Sequence, residues 1–183
     1  SNPATLGIRK WIKIPKSDYL AIRDEYIEND IKRTPTLGTV NNLNVFIRFA
    51  DENEFGGGIS YYDAPFNLEA GPSMRHYFDE VSYNTLDVLT NHFPLPEDDN
   101  VISYQDDHQR NYYEPYNETT NPDGYANDGQ RTQREHTLLK SAIDFIADQV
   151  STDLVIDGDN DNLVDNVTFL VYGSPGAWAD LLW

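Results

Sequence analysis

Apolar positions along the chain fall into a few well-separated blocks. Leu43-Asn44-Val45-Phe46-Ile47-Arg48-Phe49-Ala50 is dense in branched and aromatic side chains, the composition of a buried strand. Residues 85–93 form a second such block, closed by Pro94-Leu95-Pro96, and residues 166–172 form a third, followed by a Gly-Ser-Pro-Gly turn. Between the first two, Pro72-Ser73 starts a helix on which Met74, Tyr77, Phe78 and Val81 recur at i, i+3, i+4 and i+7, a core-facing stripe. Ahead of the third, Thr132-Gln133-Arg134-Glu135 has the capping-box pattern. Leu138, Leu139, Ala142, Ile143, Ile146, Ala147 and Val150 then carry an amphipathic helix to about residue 150. Strand, helix, strand, helix, strand predicts an α/β fold: a mostly parallel, twisted sheet flanked by helices and joined by right-handed crossovers.

The first 38 residues read as an N-terminal arm, and residues 39–183 as the body. Ile8, Lys10, Ile12 and Ile14 alternate with Arg9, Trp11 and Lys13, the pattern of a short strand that Pro15 stops. Ser17 is placed to cap a helix running to about Arg33. Arg9, Lys10, Lys13, Lys16, Arg23, Lys32 and Arg33 make this arm basic, and Thr34-Pro35-Thr36-Leu37-Gly38-Thr39 follows as a linker.

Charge narrows the partners. The 183 residues carry 31 acidic and 13 basic side chains, a formal net charge of −18, so phosphate backbones and anionic membranes are repelled. An aromatic share of 13 % is too high for an acidic disordered tail. The absence of cysteine excludes disulfides, Cys-ligated zinc and thiol nucleophiles, and leaves the compartment open, because some exported bacterial proteins also lack it. No apolar run is long enough to span a bilayer and no signal-peptide pattern opens the chain. A start at Ser1-Asn2-Pro3 without Met is expected of a mature or trimmed product.

The sharpest chemical signal is Asp157-Gly158-Asp159-Asn160-Asp161-Asn162-Leu163-Val164-Asp165. Carboxylates at relative positions 1, 3, 5 and 9, a backbone carbonyl of Leu163 at position 7 and an apolar Val164 at position 8 match a calcium loop of the EF-hand type. Crowded carboxylates repel one another unless a cation sits among them. Two positions depart from the full pattern: Asn162 replaces the glycine at position 6, and Thr168 stands where the bidentate Glu would be. The expectation is calcium held by Asp157, Asp159, Asp161, Leu163 and Asp165, in a loop more open than a true EF-hand.

Elsewhere the chemistry is sparse. His76, His92, His108 and His136 stand in no metal-ligand spacing and read as surface or structural residues. No serine has a nucleophile-elbow context, and Gly56-Gly57-Gly58 lacks the Lys of a phosphate loop. Glu97-Asp98-Asp99 and Asp106-Asp107 could serve as acid–base groups or calcium ligands, and read first as solvated turns. Residues 100–128 show little periodicity but hold Tyr104, Tyr112, Tyr113, Tyr116 and Tyr125. Such a segment either packs its rings onto the body or stacks them on sugars or peptides, the second being the route to a non-enzymatic, calcium-dependent carbohydrate- or protein-binding domain.

In order along the chain, Val45–Asp51, Ser73–Tyr83, Thr85–Val88, Arg134–Leu139 and Asp157–Phe169 resemble the front half of the immune inhibitor A-like secreted zinc metallopeptidases. The resemblance covers roughly residues 40–183. It implies the upper, N-terminal subdomain of a zincin, a calcium role for Asp157, Asp159, Asp161 and Asp165, and a secreted, periplasmic or cell-surface location. It also implies that residues 1–38 are propeptide-like or linker. In that family a Trp-Pro-His segment and then a His-Glu-x-x-His zinc helix follow. This sequence reaches Trp178 and carries neither, so the zinc ligands are expected outside it and no catalytic residue is assigned. The parent would cleave protein or peptide substrates with zinc and calcium, the C-terminal remainder of the catalytic domain being this chain's partner.

Overall fold

The run that follows Gly38 forms the strand on which the rest of the sheet is built. In the computed structural model, which describes Leu20 and residues 34–173, β1 spans Gly38–Arg48. It is paired in parallel with β2 (Leu86–Phe93), with a two-residue strand β3 (Tyr104–Gln105) and with β4 (Asn166–Val171). Ile47 C=O accepts from Tyr172 N–H, and Arg48 C=O accepts from Asp106 N–H. Successive carbonyls of a strand point to opposite edges, so β4 and β3 flank β1 on opposite sides. Gly38 N–H donates to Thr85 C=O, which puts β2 on the same edge as β3, two strands end to end. The chain divides into two compact units, Ser1–Arg33 and Thr34–Trp183. The strand expected at 8–14, the helix expected over 17–33, and the turn and Trp178 beyond residue 173 lie outside the described residues.

Side chains alternate across β1 and create two cores. Leu43, Val45 and Ile47 join Phe93, Val167, Phe169 and Val171 on one face, covered by Leu138, Ala142 and Ile146 of helix α3 (Asp128–Ile146). On the other face Phe46 packs with Phe55, Val101, Leu170 and Tyr172, beside Ile59 and Tyr62 of helix α1 (Ile59–Asn67). Helix α2 (Met74–Val81) lies against α1 and β2. The expected α/β class with parallel strands and flanking helices is what forms.

Several elements depart from the sequence pattern. Ser73 caps α2 as expected, its hydroxyl accepting from His76 N–H at 3.1 Å. The stripe on that helix does not face the core, however: Tyr77 is 59 % exposed and Val81 52 %. Instead α2 is tied to β2 by a bidentate pair, Arg75 Nε and Nη2 donating to the two oxygens of Asp87 at 2.6 and 3.1 Å. Helix α3 starts a turn before the capping box, because Asn127 Oδ1 accepts from Gln130 N–H while Gln130 Oε1 accepts from Ala126 N–H. Helix α1 is only nine residues long and contains Pro65, and the sequence pattern assigns no helix there. β1 begins at Gly38 rather than Leu43, since Asn42 and Asn44, turn formers by type, are fully buried in it. Asn42 Nδ2 donates to Thr90 Oγ1 and its Oδ1 accepts from Thr168 Oγ1, a polar tie across three strands.

Glu135 is also displaced from its expected role. The helix starts too early for it to close a capping box, and its side chain is buried, with Oε1 lacking a hydrogen bond and Arg131 Nε 3.8 Å away. Burial raises its carboxyl above the usual range, against the opposing pull of Arg131 and His136. A carboxyl raised on folding leaves stability intact below its unfolded value, near 4.3, and removes it as pH rises through the folded value. Glu135→Gln is therefore expected to raise Tm at pH 7 by about 2–4 °C, the equivalent of about 1 kcal/mol, and to leave it unchanged near pH 3.5. Thermal unfolding at the two pH values checks the sign.

Candidate metal centre

The loop before β4 is built by its own carboxylates. Asp157 Oδ1 accepts from Asp161 N–H at 2.9 Å, and Asp157 Oδ2 accepts from Asn162 N–H at 2.9 Å. Asp159 Oδ1 also accepts from Asp161 N–H, and Asp161 Oδ1 accepts from Leu163 N–H at 2.8 Å. The chain turns tightly enough to make these bonds because Asn160 and Asn162 take φ of +58° and +68°, the left-handed region that Asn tolerates. Asn162 thus does the work of the glycine it replaces.

The result is convergent. One carboxylate oxygen each from Asp157, Asp159 and Asp161 lies within 4.8 Å of the others, the one such group of three His, Asp or Glu side chains among the described residues. Asp159 Oδ2 is shielded from solvent and has no hydrogen-bond donor. Desolvation, the largest single influence, pushes the Asp157 carboxyl up, but the backbone donors Asn162 and Asp161 outweigh it and hold the carboxyl below its ordinary value. Asp157 therefore stays ionised into mildly acidic solution.

Asp165 and Leu163 are placed differently from the triad. Asp165 Oδ2 accepts from Gly158 N–H at 2.8 Å and its N–H donates to Ile156 C=O at 2.8 Å, which closes the neck of the loop where β4 begins. Leu163 has its side chain exposed. The linker residues join this neck: Thr34 Oγ1 donates to Asp165 C=O, and Pro35 sits so close to Gly158 that a Cβ there would meet its Cγ at 2.8 Å.

The histidines are dispersed. His92 is buried and structural: Nδ1 meets Asn44 Nδ2 at 3.0 Å and so accepts, leaving Nε2 to donate to Asp63 Oδ1 at 3.0 Å. Burial lowers its pKa, only partly opposed by Asp63. His76 is half-buried with Nε2 3.7 Å from Glu80, and His136 is exposed. The described residues do not fit a zinc centre.

Residues 100–128 are ordered without being periodic. Asn121 Nδ2 donates to the carbonyls of Asn111 and Pro115 at 2.9 and 3.0 Å. Gly124 passes so close that a Cβ would meet Glu114 O at 2.6 Å. Arg110 ties this segment to the ends of two strands, donating to Glu52 and to Tyr172 C=O and lying 5.0 Å over the Phe49 ring. Tyr113 is buried, its hydroxyl donating to Asp106 at 2.8 Å. Tyr112 is sandwiched: the His108 ring stacks on it at 4.0 Å and Arg134 Cζ lies 3.7 Å from its centroid. Two planar groups that close to one centroid occupy opposite faces, so neither face of Tyr112 is open to a sugar ring.

Sequence reasoning missed one cluster, Asp106, His108, Tyr113 and Arg134. Its only legible sign was Asp106-x-His108, which has no meaning until β3 and the turn after it bring the ring back onto the carboxylate. Among known proteins, no family model, no curated protein and no solved structure matches the chain.

Proposed function

We propose that this chain is the N-terminal, sheet-bearing part of a secreted zinc metallopeptidase and that the 157–165 loop binds calcium there. The observation that carries the calcium reading is Asp159 Oδ2, a solvent-shielded carboxylate oxygen with no donor, beside the converging oxygens of Asp157 and Asp161. A solvent-shielded carboxylate oxygen without a donor is costly, and a hard cation coordinated by several oxygens removes the cost. Asp157, Asp159 and Asp161 would hold the ion, with Leu163 C=O and Asp165 completing the loop around it. Calcium there would keep β4 on β1 and protect an exposed acidic turn from cleavage.

The peptidase reading rests on the ordered sequence resemblance and on a sheet of the expected class. Zinc ligands would be supplied by residues outside this chain, and the substrate would be a protein or peptide. The test is expression with and without the coding sequence that follows Trp183. The longer product should contain His-Glu-x-x-His and cleave casein in a chelator-sensitive way, and the 183-residue chain should not. Cleavage by this chain alone, or a downstream sequence without the motif, overturns the reading.

A further inference from the structure

The Asp106–His108 cluster opens onto a cleft of about 520 Å³ between β3 and α3. Asp106 is buried, and its Oδ2 accepts from Tyr113 OH at 2.8 Å, from His108 N–H at 3.0 Å and from His108 Nδ1 at 3.2 Å. An ionised carboxylate only accepts, so Nδ1 carries the proton. In the neutral ring this leaves Nε2, on the far side of a half-exposed imidazole, as a fixed lone-pair acceptor. Stacking on Tyr112 holds the ring in place.

The remaining wall selects the chemistry. Tyr104, Asp107, Gln133, Thr137 and Ser141 line the cleft with hydroxyls, a carboxamide and a carboxylate. Among the described residues the Gln133 and Asp107 side chains have no intramolecular hydrogen-bond partner. Arg134 also borders the space, its guanidinium lying on Tyr112 and its Nη1 donating to the carbonyls of Tyr112 and Asp123. An anion would meet two carboxylates there, Asp106 and Asp107, against the single guanidinium of Arg134. An apolar ligand would strand the polar wall. A group that both donates and accepts at several points satisfies it. The location also suits a ligand, since parallel α/β sheets bind outside the carboxyl ends of their strands and the cleft begins where β3 ends.

We infer that this cleft binds a neutral polyhydroxylated ligand, a small saccharide, through hydrogen bonds to His108 Nε2, Asp107 and Gln133 rather than by ring stacking. This reading is independent of the peptidase and calcium proposals. The test is NMR of the histidine side chains at about pH 8 during titration with maltose, cellobiose and xylobiose, with glucuronate as the anionic control. At least one disaccharide should shift the His108 ring saturably with a Kd in the millimolar range while the buried His92 ring stays still. Gln133→Ala, on an exposed helix position, should weaken that binding about tenfold or more with an unchanged fold. Absence of a saturable shift with all three sugars, equal or tighter binding of glucuronate, or unchanged affinity in Gln133→Ala overturns the assignment.

Discussion

Phe46→Ala is expected to destabilise the protein by about 3–5 kcal/mol. Phe46 is 0 % exposed on the central strand. Its ring meets Phe55 at 5.1 Å and Tyr62 at 5.5 Å, both edge-on, and His92 at 5.7 Å. Truncation removes the hydrophobic transfer energy of the ring, the edge-to-face contacts and the packing of three neighbours. The cavity would be lined by aromatic rings anchored elsewhere, Tyr62 by its hydroxyl to Gly56 C=O and His92 by Asp63 and Asn44, so collapse is limited. Urea unfolding should show a lower midpoint at constant slope. Tyr77→Ala, which the sequence pattern would have ranked as a comparable core loss, should fall within about 0.5 kcal/mol of the parent, because that ring is mostly in water.

The second large effect is that of calcium on stability. An ion bound only by the folded loop stabilises by about 2.7 kcal/mol at a hundredfold excess over Kd, roughly 5–10 °C in Tm for a chain of this size. Asp159→Asn and Asp161→Asn should each abolish most of that gain, since each removes a charge from a three-carboxylate cluster. The response should be flat from pH 6 to 8 and fade as pH drops into the carboxylate range, where ligands are lost to protons; backbone donors hold the Asp157 carboxyl below its ordinary value. Calcium should also slow proteolysis between Ile156 and Asn166, the neck that Asp165 and Thr34 close.

Fold class was legible because it lies in contiguous runs. Val45–Phe49, Val167–Val171 and Leu138–Ile146 each carry their own periodicity, and no distant partner is needed to recognise them. The Asp loop was legible for the same reason: the bonds by which Asp157, Asp159 and Asp161 shape it stay within residues 157–163, and Asn160 and Asn162 were residues able to take positive φ. What depended on distant partners was not. Asn42 becomes a strand residue only through Thr90 and Thr168, 48 and 126 positions away. Tyr77 and Val81 repeat as a buried stripe would, yet the side of α2 that is held down is chosen by Arg75 and Asp87. Helix α1 is short and contains a proline, and α3 is started by Asn127 and Gln130 before the Thr132 box is reached. His108 looked like a loop histidine until Asp106 and Tyr112 fixed its ring.

Isothermal titration of the protein with calcium chloride, with magnesium chloride as control, examines the loop directly. One calcium per chain should bind, more tightly than magnesium because the site is an open set of carboxylates rather than a rigid octahedron, and Asp159→Asn should remove the heat. No stoichiometric heat with calcium, or binding that survives in Asp159→Asn, would contradict the assignment of Asp157, Asp159 and Asp161 as a metal centre.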